Sequence, residues 1–245
     1  MLPVVQIKQN VPLVHCEQGE SCFIGEESIE IMQFRLVYEG SLKSSGNSSR
    51  HVAEKHAIRC QFHEQLSSLY DNHEQLRSMR YYVESPVDVM NRQRAMRISF
   101  ADSGASITET LARRFVRSNG FRFVPLVNQQ YDLICGLNIL FLRRENPGSL
   151  LMQGGDLDNR VKTLFDALRL PSSGQEIPAD AKPESGQDPF FCLLEDDALV
   201  TDVKVTTDRL LRPLRGDQSE NDVMLIVHVN VKAARITGHN MALLE

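Results

Sequence analysis

The chain has 245 residues, which is long enough to bury a sizeable core and leads us to expect one large domain or slightly more. Its five cysteines lack regular spacing, which argues against a disulfide framework, and no run approaches the ~18 apolar residues of a membrane helix. We therefore expect a cytoplasmic protein with no membrane partner.

The charge of the chain is unevenly distributed. A net charge of −5 speaks weakly against nucleic acid as a partner, because the phosphate backbone is bound mainly by Lys and Arg. Residues 91–146, however, contain nine arginines against four acids, whereas residues 171–222 contain twelve acids against five bases. A basic surface on an acidic protein therefore remains open.

The first half of the chain contains a strand, a helix and an insertion. We interpret residues 1–30 as an N-terminal extension or short hairpin. Alternation predicts a strand over 31–42, and helical spacing of apolar residues predicts a long helix or a broken pair over 52–77. Residues 82–120 have the pattern of an insertion that includes a short capped helix.

The second half begins with two strands and a helix. Residues 121–127 and 131–142 are predicted to be strands, paired as a hairpin. A helix follows within the stretch 154–170, and the aperiodic, Pro- and Ser-containing segment 171–189 is predicted to be a mobile loop.

Two further strands complete the predicted fold, over 190–205 and 223–231. The order of elements predicts an α+β fold, with helices packed on one face of a mixed or antiparallel sheet. The main domain then covers residues 31–232, and residues 233–245 form a C-terminal tail.

The stretch 154–170 combines an apolar stripe with an acidic start. Its apolar side chains fall on one face of a helix: Val161, Leu164, Phe165 and Leu168. Asp158, Lys162 and Asp166 recur at four-residue steps on an adjacent face. Asp156 and Asp158 therefore lie two residues apart where the helix begins.

Crowded carboxylates are favourable only when a cation compensates their charge. Mg²⁺ suits such sites, since it prefers carboxylate oxygens and water and needs no histidine. Asp156 and Asp158, together with Asp196 and Asp197, are thus candidate ligands, and Lys162 could neutralise a bound phosphate. The competing interpretation is that the first pair starts a helix and the second forms a surface turn.

Two other sites are weaker candidates. His56, Cys60 and His63 share a predicted helix and could bind a soft metal, but an ordinary amphipathic helix explains them as well. Cys192 has no base visible in the sequence, so a buried strand cysteine is the simpler interpretation than a nucleophile.

The acidic motifs carry a family resemblance. Asp156-Leu157-Asp158-Asn159 with Lys162 and Asp166, followed by Glu195-Asp196-Asp197-Ala198-Leu199-Val200 and Asp202, resembles the RusA family of Holliday-junction endonucleases. The sharp motifs span residues 154–205, and a looser likeness covers residues 33–232. The insertion 82–120 and the segment 171–189 depart from the compact members of that family.

The resemblance implies a site and an activity. Asp156, Asp158 and Asp197 would bind Mg²⁺, with Mn²⁺ as an alternative, and Asp196 adjoins this set. Lys162 would be the catalytic lysine. The implied protein is a homodimer that makes paired nicks across a four-way DNA junction.

The same resemblance leaves the substrate open. Six basic residues are predicted to contact DNA, namely Arg50, His51, Lys55, Arg143, Arg144 and Arg160. Because the chain is acidic overall, a flap, a replication fork or structured RNA remains an alternative to the junction. A non-catalytic module that binds branched DNA or assembles with a partner is the alternative of a different class.

Overall fold

The computed structural model describes residues 5–7, 28–43, 50–81, 105–144, 156–211, 221–237, 240 and 243. These residues divide into two compact units. The first unit takes the described residues of 1–44, 127–160 and 196–244, and the second takes those of 45–126 and 161–195. Both helices and strands are present, and the main sheet is mixed, so the predicted α+β class is confirmed.

The described chain contains seven strands and four α-helices. The strands are β1 Val5–Ile7, β2 Ile29–Ser41, β3 Phe123–Val127, β4 Leu133–Arg143, β5 Phe190–Leu194, β6 Val200–Arg209 and β7 Asp222–Ala233. The helices are α1 Arg50–Asn72, α2 Glu74–Tyr81, α3 Ile107–Arg114 and α4 Asp156–Leu168. Most of the predicted insertion before α3 lies outside the described residues.

The first unit is built on a five-stranded sheet in the order β1-β6-β4-β7-β2. Strands β4 and β6 are parallel, whereas the other neighbours are antiparallel. Along β7 the burial alternates, with Leu225, Val227 and Val229 fully buried and the residues between them half-buried. This period of two lets one face of the strand enter the core.

The predicted hairpin between residues 121–127 and 131–142 is wrong. Strand β3 pairs with β5 in a separate two-stranded sheet, while β4 pairs with β6 and β7. A 3-10 turn at Gln129–Tyr131 and a left-handed residue, Asp132, with φ 50°, separate the two strands. The connection therefore redirects the chain into another sheet instead of reversing it.

The predicted single strand over 190–205 is also wrong. The chain forms β5, then a 3-10 turn at Asp197–Leu199, and then β6, and the two strands belong to different sheets. The run of acids from Glu195 to Asp197 interrupts the apolar pattern at this point, because these side chains favour a capped turn over a buried strand.

The second unit packs α1 against β5. Ile58, Phe62, Leu66 and Tyr70 are buried at four-residue steps along α1, which is the pattern of an amphipathic helix. The helix ends at Asn72, and α2 starts after His73, so the predicted region 52–77 is a broken pair. Helix α3 is capped by Ser106, whose hydroxyl accepts a hydrogen bond from the Glu109 amide at 3.2 Å.

We predict that Ile139→Ala strongly destabilises the first unit. Ile139 is fully buried in the central strand β4, and removing a buried isoleucine costs about 2–5 kcal/mol through lost transfer energy and a residual cavity. The free energy of unfolding can be measured in urea. The matched variant Ile236→Ala makes the same change at a residue that is 52% exposed, and a comparable loss there would contradict this assignment of the core.

Candidate functional site

Helix α4 carries the first predicted motif. The helix begins at Asp156, as the acidic stretch predicts, and Asp158 is exposed in its first turn. Lys162 is also exposed and lies one turn further on, so it shares a face of the helix with Asp158. The side chain of Asp156 lies outside the described residues.

The second predicted motif forms the turn between β5 and β6. Asp196 caps the 3-10 turn that starts at Asp197, and its carboxylate accepts a hydrogen bond from the Ala198 amide at 2.9 Å. Asp196 and Asp197 are both exposed. The capping bond supports a structural role for Asp196, whereas Asp197 presents its carboxylate at the start of the turn.

A β-bulge follows this turn directly. Thr201 is the extra residue of β6, because Val200 pairs with Cys135 while Asp202 pairs with Gly136. The Thr201 hydroxyl donates to the Cys135 carbonyl at 3.3 Å. Bulges of this kind change the direction of side chains at the end of a sheet, and this one lies next to the acidic turn. No signal in the sequence predicts it.

The carboxylates do not by themselves establish a metal centre. Among the described side chains, no group of three or more His, Cys, Asp and Glu residues could hold a metal ion. The predicted trio includes Asp156, whose side chain is not described, so its ligand role stays a prediction. Asp156, Asp158, Asp196 and Asp197 all belong to the first unit, and Lys162 is assigned to the second.

Arg160 fixes the first turn of α4 within the first unit. Its side chain is only 5% exposed, and its guanidinium donates hydrogen bonds to the Leu42 carbonyl and, at 3.0 Å, to Asn221 Oδ1. A guanidinium satisfied in this way orients the helix start that carries Asp158. Sequence reasoning missed this positioning role, which no local pattern indicates.

The other residues predicted to contact DNA differ in exposure. Arg144 is exposed, Arg143 is buried, and His51 is half-buried with Nδ1 3.4 Å from the Glu54 carboxylate. Lys55 contacts the Asp166 carboxylate at 2.5 Å. The side chain of Arg50 lies outside the described residues, and DNA contact by all six residues stays a prediction.

A buried ion-pair network organises the second unit. The Arg59 guanidinium of α1 is 1% exposed and donates to the backbone carbonyls of Asp166 and Glu176, at 2.6 and 2.8 Å. Arg169 bridges the carboxylates of the same two residues, with both distances at 3.2 Å. The network thereby joins α1 to the end of α4 and to the segment that follows it.

The charges of this network are mutually stabilised. Burial lowers the pKa of Arg59 to about 10, although Glu176 opposes this effect, so the guanidinium stays charged at neutral pH. Burial also disfavours ionisation of Glu176, but the Ser172 hydrogen bond and the charges of Arg169 and Arg59 outweigh it. The pKa of Glu176 therefore lies below its usual value.

The predicted mobile loop 171–189 lies among the described residues. It contains a 3-10 turn at Gly174–Glu176, and Ile177 within it is buried. Besides Glu176, the segment contacts α1 through Gly186, whose carbonyl lies 3.1 Å from His63 Nε2. Its mobility is not tested by these contacts and stays a prediction.

The alternative soft-metal site is not supported by the geometry of α1. His63 accepts a hydrogen bond from the Phe191 amide at Nδ1, at 2.9 Å, which leaves Nε2 to donate to the Gly186 carbonyl. Burial lowers the pKa of His63, so a neutral ring fits these two bonds. Cys60 Sγ is 3.9 Å from His56 Nε2, which is a weak contact.

The alternative nucleophile Cys192 is a buried strand residue. Burial raises the pKa of its thiol to about 12, so the thiolate is not available at neutral pH. This agrees with the simpler of the two interpretations of Cys192.

Comparisons of the chain with protein-family models, with curated proteins and with solved structures find no match. In the described part of the chain, no helix combines the length and the apolar character needed to cross a membrane. The RusA resemblance therefore depends on the motif residues quoted above.

We predict that Glu176→Gln makes the protein less stable at pH 7 and less sensitive to acid. Because the folded-state pKa of Glu176 lies below its unfolded value, its ionisation stabilises the fold above the unfolded pKa of about 4.5. This contribution is lost as the pH falls through the folded pKa, and the variant lacks it. Urea unfolding between pH 7 and pH 3 measures the difference.

The matched control is Glu64→Gln, which removes an exposed carboxylate from α1 in the same unit. Its pH profile should follow that of the unmodified protein. A Glu176→Gln profile that runs parallel to the unmodified one would contradict the role assigned to the network.

Proposed function

We propose that the chain is a Mg²⁺-dependent endodeoxyribonuclease that hydrolyses phosphodiester bonds in branched DNA, with the four-way junction as its substrate. The observation that carries the proposal is the joint motif of Asp156, Asp158 and Lys162 on one helix with Asp197 at a turn that precedes a strand. In the RusA family, which this motif resembles, such a set cleaves junctions as a homodimer.

The donor atoms fit a hard divalent cation. Asp158 and Asp197 are exposed carboxylates of the first unit, and carboxylate oxygens with water are the ligands that Mg²⁺ prefers. Asp156 completes the proposed set, and Mn²⁺ could replace Mg²⁺ at the same oxygens. When bound, the ion would supply an activated water and neutralise charge on the phosphate.

The protein contributes position and charge to this reaction. Lys162, one turn from Asp158, would stabilise the negative charge that develops on the phosphate oxygens during hydrolysis. Arg160 holds the first turn of α4 through the Leu42 carbonyl and Asn221, so the carboxylate of Asp158 starts from a fixed backbone. The exposed Arg144 is the best placed of the basic residues to meet a DNA phosphate.

We predict that Asp158→Asn, Asp197→Asn and Lys162→Ala each reduce junction cleavage by at least ~100-fold, because each removes a charge that the reaction needs. Labelled four-way junctions incubated with Mg²⁺ measure the rate, and Ca²⁺ in place of Mg²⁺ measures binding without cleavage. Circular dichroism verifies that the variants remain folded.

Asp180→Asn provides the control for the two aspartate variants, since it makes the same change at an exposed residue of the segment 171–189. Cleavage that survives Asp158→Asn would refute the proposal. Salt-sensitive junction binding with no product would favour the non-catalytic module. Cleavage of forks, flaps or RNA in preference to junctions would retain the chemistry and reassign the substrate.

A further inference from the structure

The two faces of the five-stranded sheet differ in their burial. On one face Leu36, Ile139 and Val227 are buried to 1% exposure or less. On the other face their sequence neighbours are more accessible: Leu140 and Ile226 are half-buried, and Val37 is 38% exposed. An apolar row on an accessible sheet face is a candidate surface for association.

The strand registers place this apolar row in the middle of the accessible face. Val37 pairs with Ile226, Ile226 with Leu140, and Leu140 with Thr206, so the row crosses β2, β7, β4 and β6. Residues paired in this way project from the same side of the sheet. The row therefore extends across four adjacent strands of the first unit.

Opposite charges flank the row at both of its ends. Two residues before it, β2 carries Arg35 and β6 carries Lys204. Two residues after it, β2 carries Glu39 and β6 carries Asp208. Strands β2 and β6 both run from cation to anion in the same direction, because the registers through β7 and β4 place Arg35 and Lys204 in one row.

These charges cannot pair with each other inside one subunit. Arg35 and Glu39 are four residues apart on one strand, which separates them by about 13 Å at the rise of an extended chain. Lys204 and Asp208 are separated by the same distance. Each charged pair is therefore too long for an ion pair, which needs about 4 Å between nitrogen and oxygen.

We propose that a second copy of this chain packs face to face on this sheet, about a two-fold axis that runs along the apolar row. Such an axis reverses the strand direction of the second copy and leaves the order of its strands in place. Arg35 would then lie over Glu39 of the partner subunit, and Lys204 over the partner subunit's Asp208. A surface that is complementary to itself in this way is the requirement for a two-fold dimer.

The two central strands are compatible with this arrangement. The axis places His228 over the partner's Met224 and Asn138 over the partner's Leu142, and neither contact opposes like charges. The apolar rows of the two copies meet along the axis itself. The charged contacts therefore occupy the rim and the apolar contacts the centre, as in other protein interfaces.

The size of the face is sufficient for a specific interface. Four strands about 4.8 Å apart and four rows of side chains about 6.7 Å apart cover roughly 500 Å² in projection. The faces of two copies together reach the ~1,000 Å² that a specific interface needs. The twist of each sheet would set the two strand directions at an angle of about 30°.

The inference extends the homodimer that is part of the proposed function, but its argument uses only strand registers and charges. Association is measured without DNA and without metal, so its outcome is separate from that of the cleavage assay. A dimer with no nuclease activity, or an active enzyme with no dimer, would distinguish the two proposals.

The experiment uses charge reversal on β2. Arg35→Glu and Glu39→Arg each replace two attractive contacts of the dimer by two repulsive ones, so each should raise the dimer dissociation constant at least ~10-fold. Sedimentation equilibrium of the full chain measures this constant. Arg77→Glu makes the same change as Arg35→Glu at an exposed residue of α2, and it should leave the constant unchanged.

Mixing the two single variants provides the decisive measurement. A heterodimer of the Arg35→Glu and Glu39→Arg chains places an acid opposite a base at one position and a base opposite an acid at none of the others only if the register is wrong; in the proposed register, Glu at position 35 of one chain faces Arg at position 39 of the other. The remaining facing pair of that heterodimer, Glu39 of the first chain with Arg35 of the second, is the unmodified one. Mixing should therefore restore the dissociation constant of the unmodified protein, and the double variant should restore it as well.

Three results would overturn the proposal. The unmodified chain could remain monomeric at all concentrations measured. Both single variants could dimerise as tightly as the unmodified chain, which would exclude this face. The mixture could remain as weak as its components, which would exclude the proposed pairing of Arg35 with Glu39 of the partner subunit.

Discussion

The buried guanidinium of Arg59 is the interaction on which the second unit depends. A buried charge is costly unless hydrogen bonds and an opposite charge compensate it, and here Asp166 and Glu176 supply both. Because these partners come from the end of α4 and from the segment after it, α1 can be buried only when both are in place. The path of the chain after residue 170 is thus determined by one side chain of α1.

The local features of the fold could be predicted from the sequence, whereas the partners of the strands could not. The alternation in β2 and β7 and the helical spacing in α1 are properties of neighbouring residues, and they predict elements where the structure has them. The choice of β5 as the partner of β3 depends on residues far apart in the chain. A pattern read in one segment carries no information about that choice.

The candidate site shows the same division. The start of α4 at Asp156 and the exposure of Asp158 follow from a short acidic pattern before an apolar stripe. Arg160 has the composition of a DNA-binding residue, yet it is buried against Leu42 and Asn221. Its role depends on a loop at residue 42 and another at residue 221, and only the folded chain brings these together.

The pairing of β2 with β7 has a consequence for the synthesis of the protein. Ile29 and Ala233 are neighbours in the sheet but lie roughly 200 residues apart in the chain, which a ribosome adds at about 5–20 residues per second. Strand β2 therefore emerges some ~10–40 seconds before its partner exists. During that interval a long strand with alternating apolar residues has no native neighbour, so the nascent chain depends on chaperones or on its own charged residues to stay soluble.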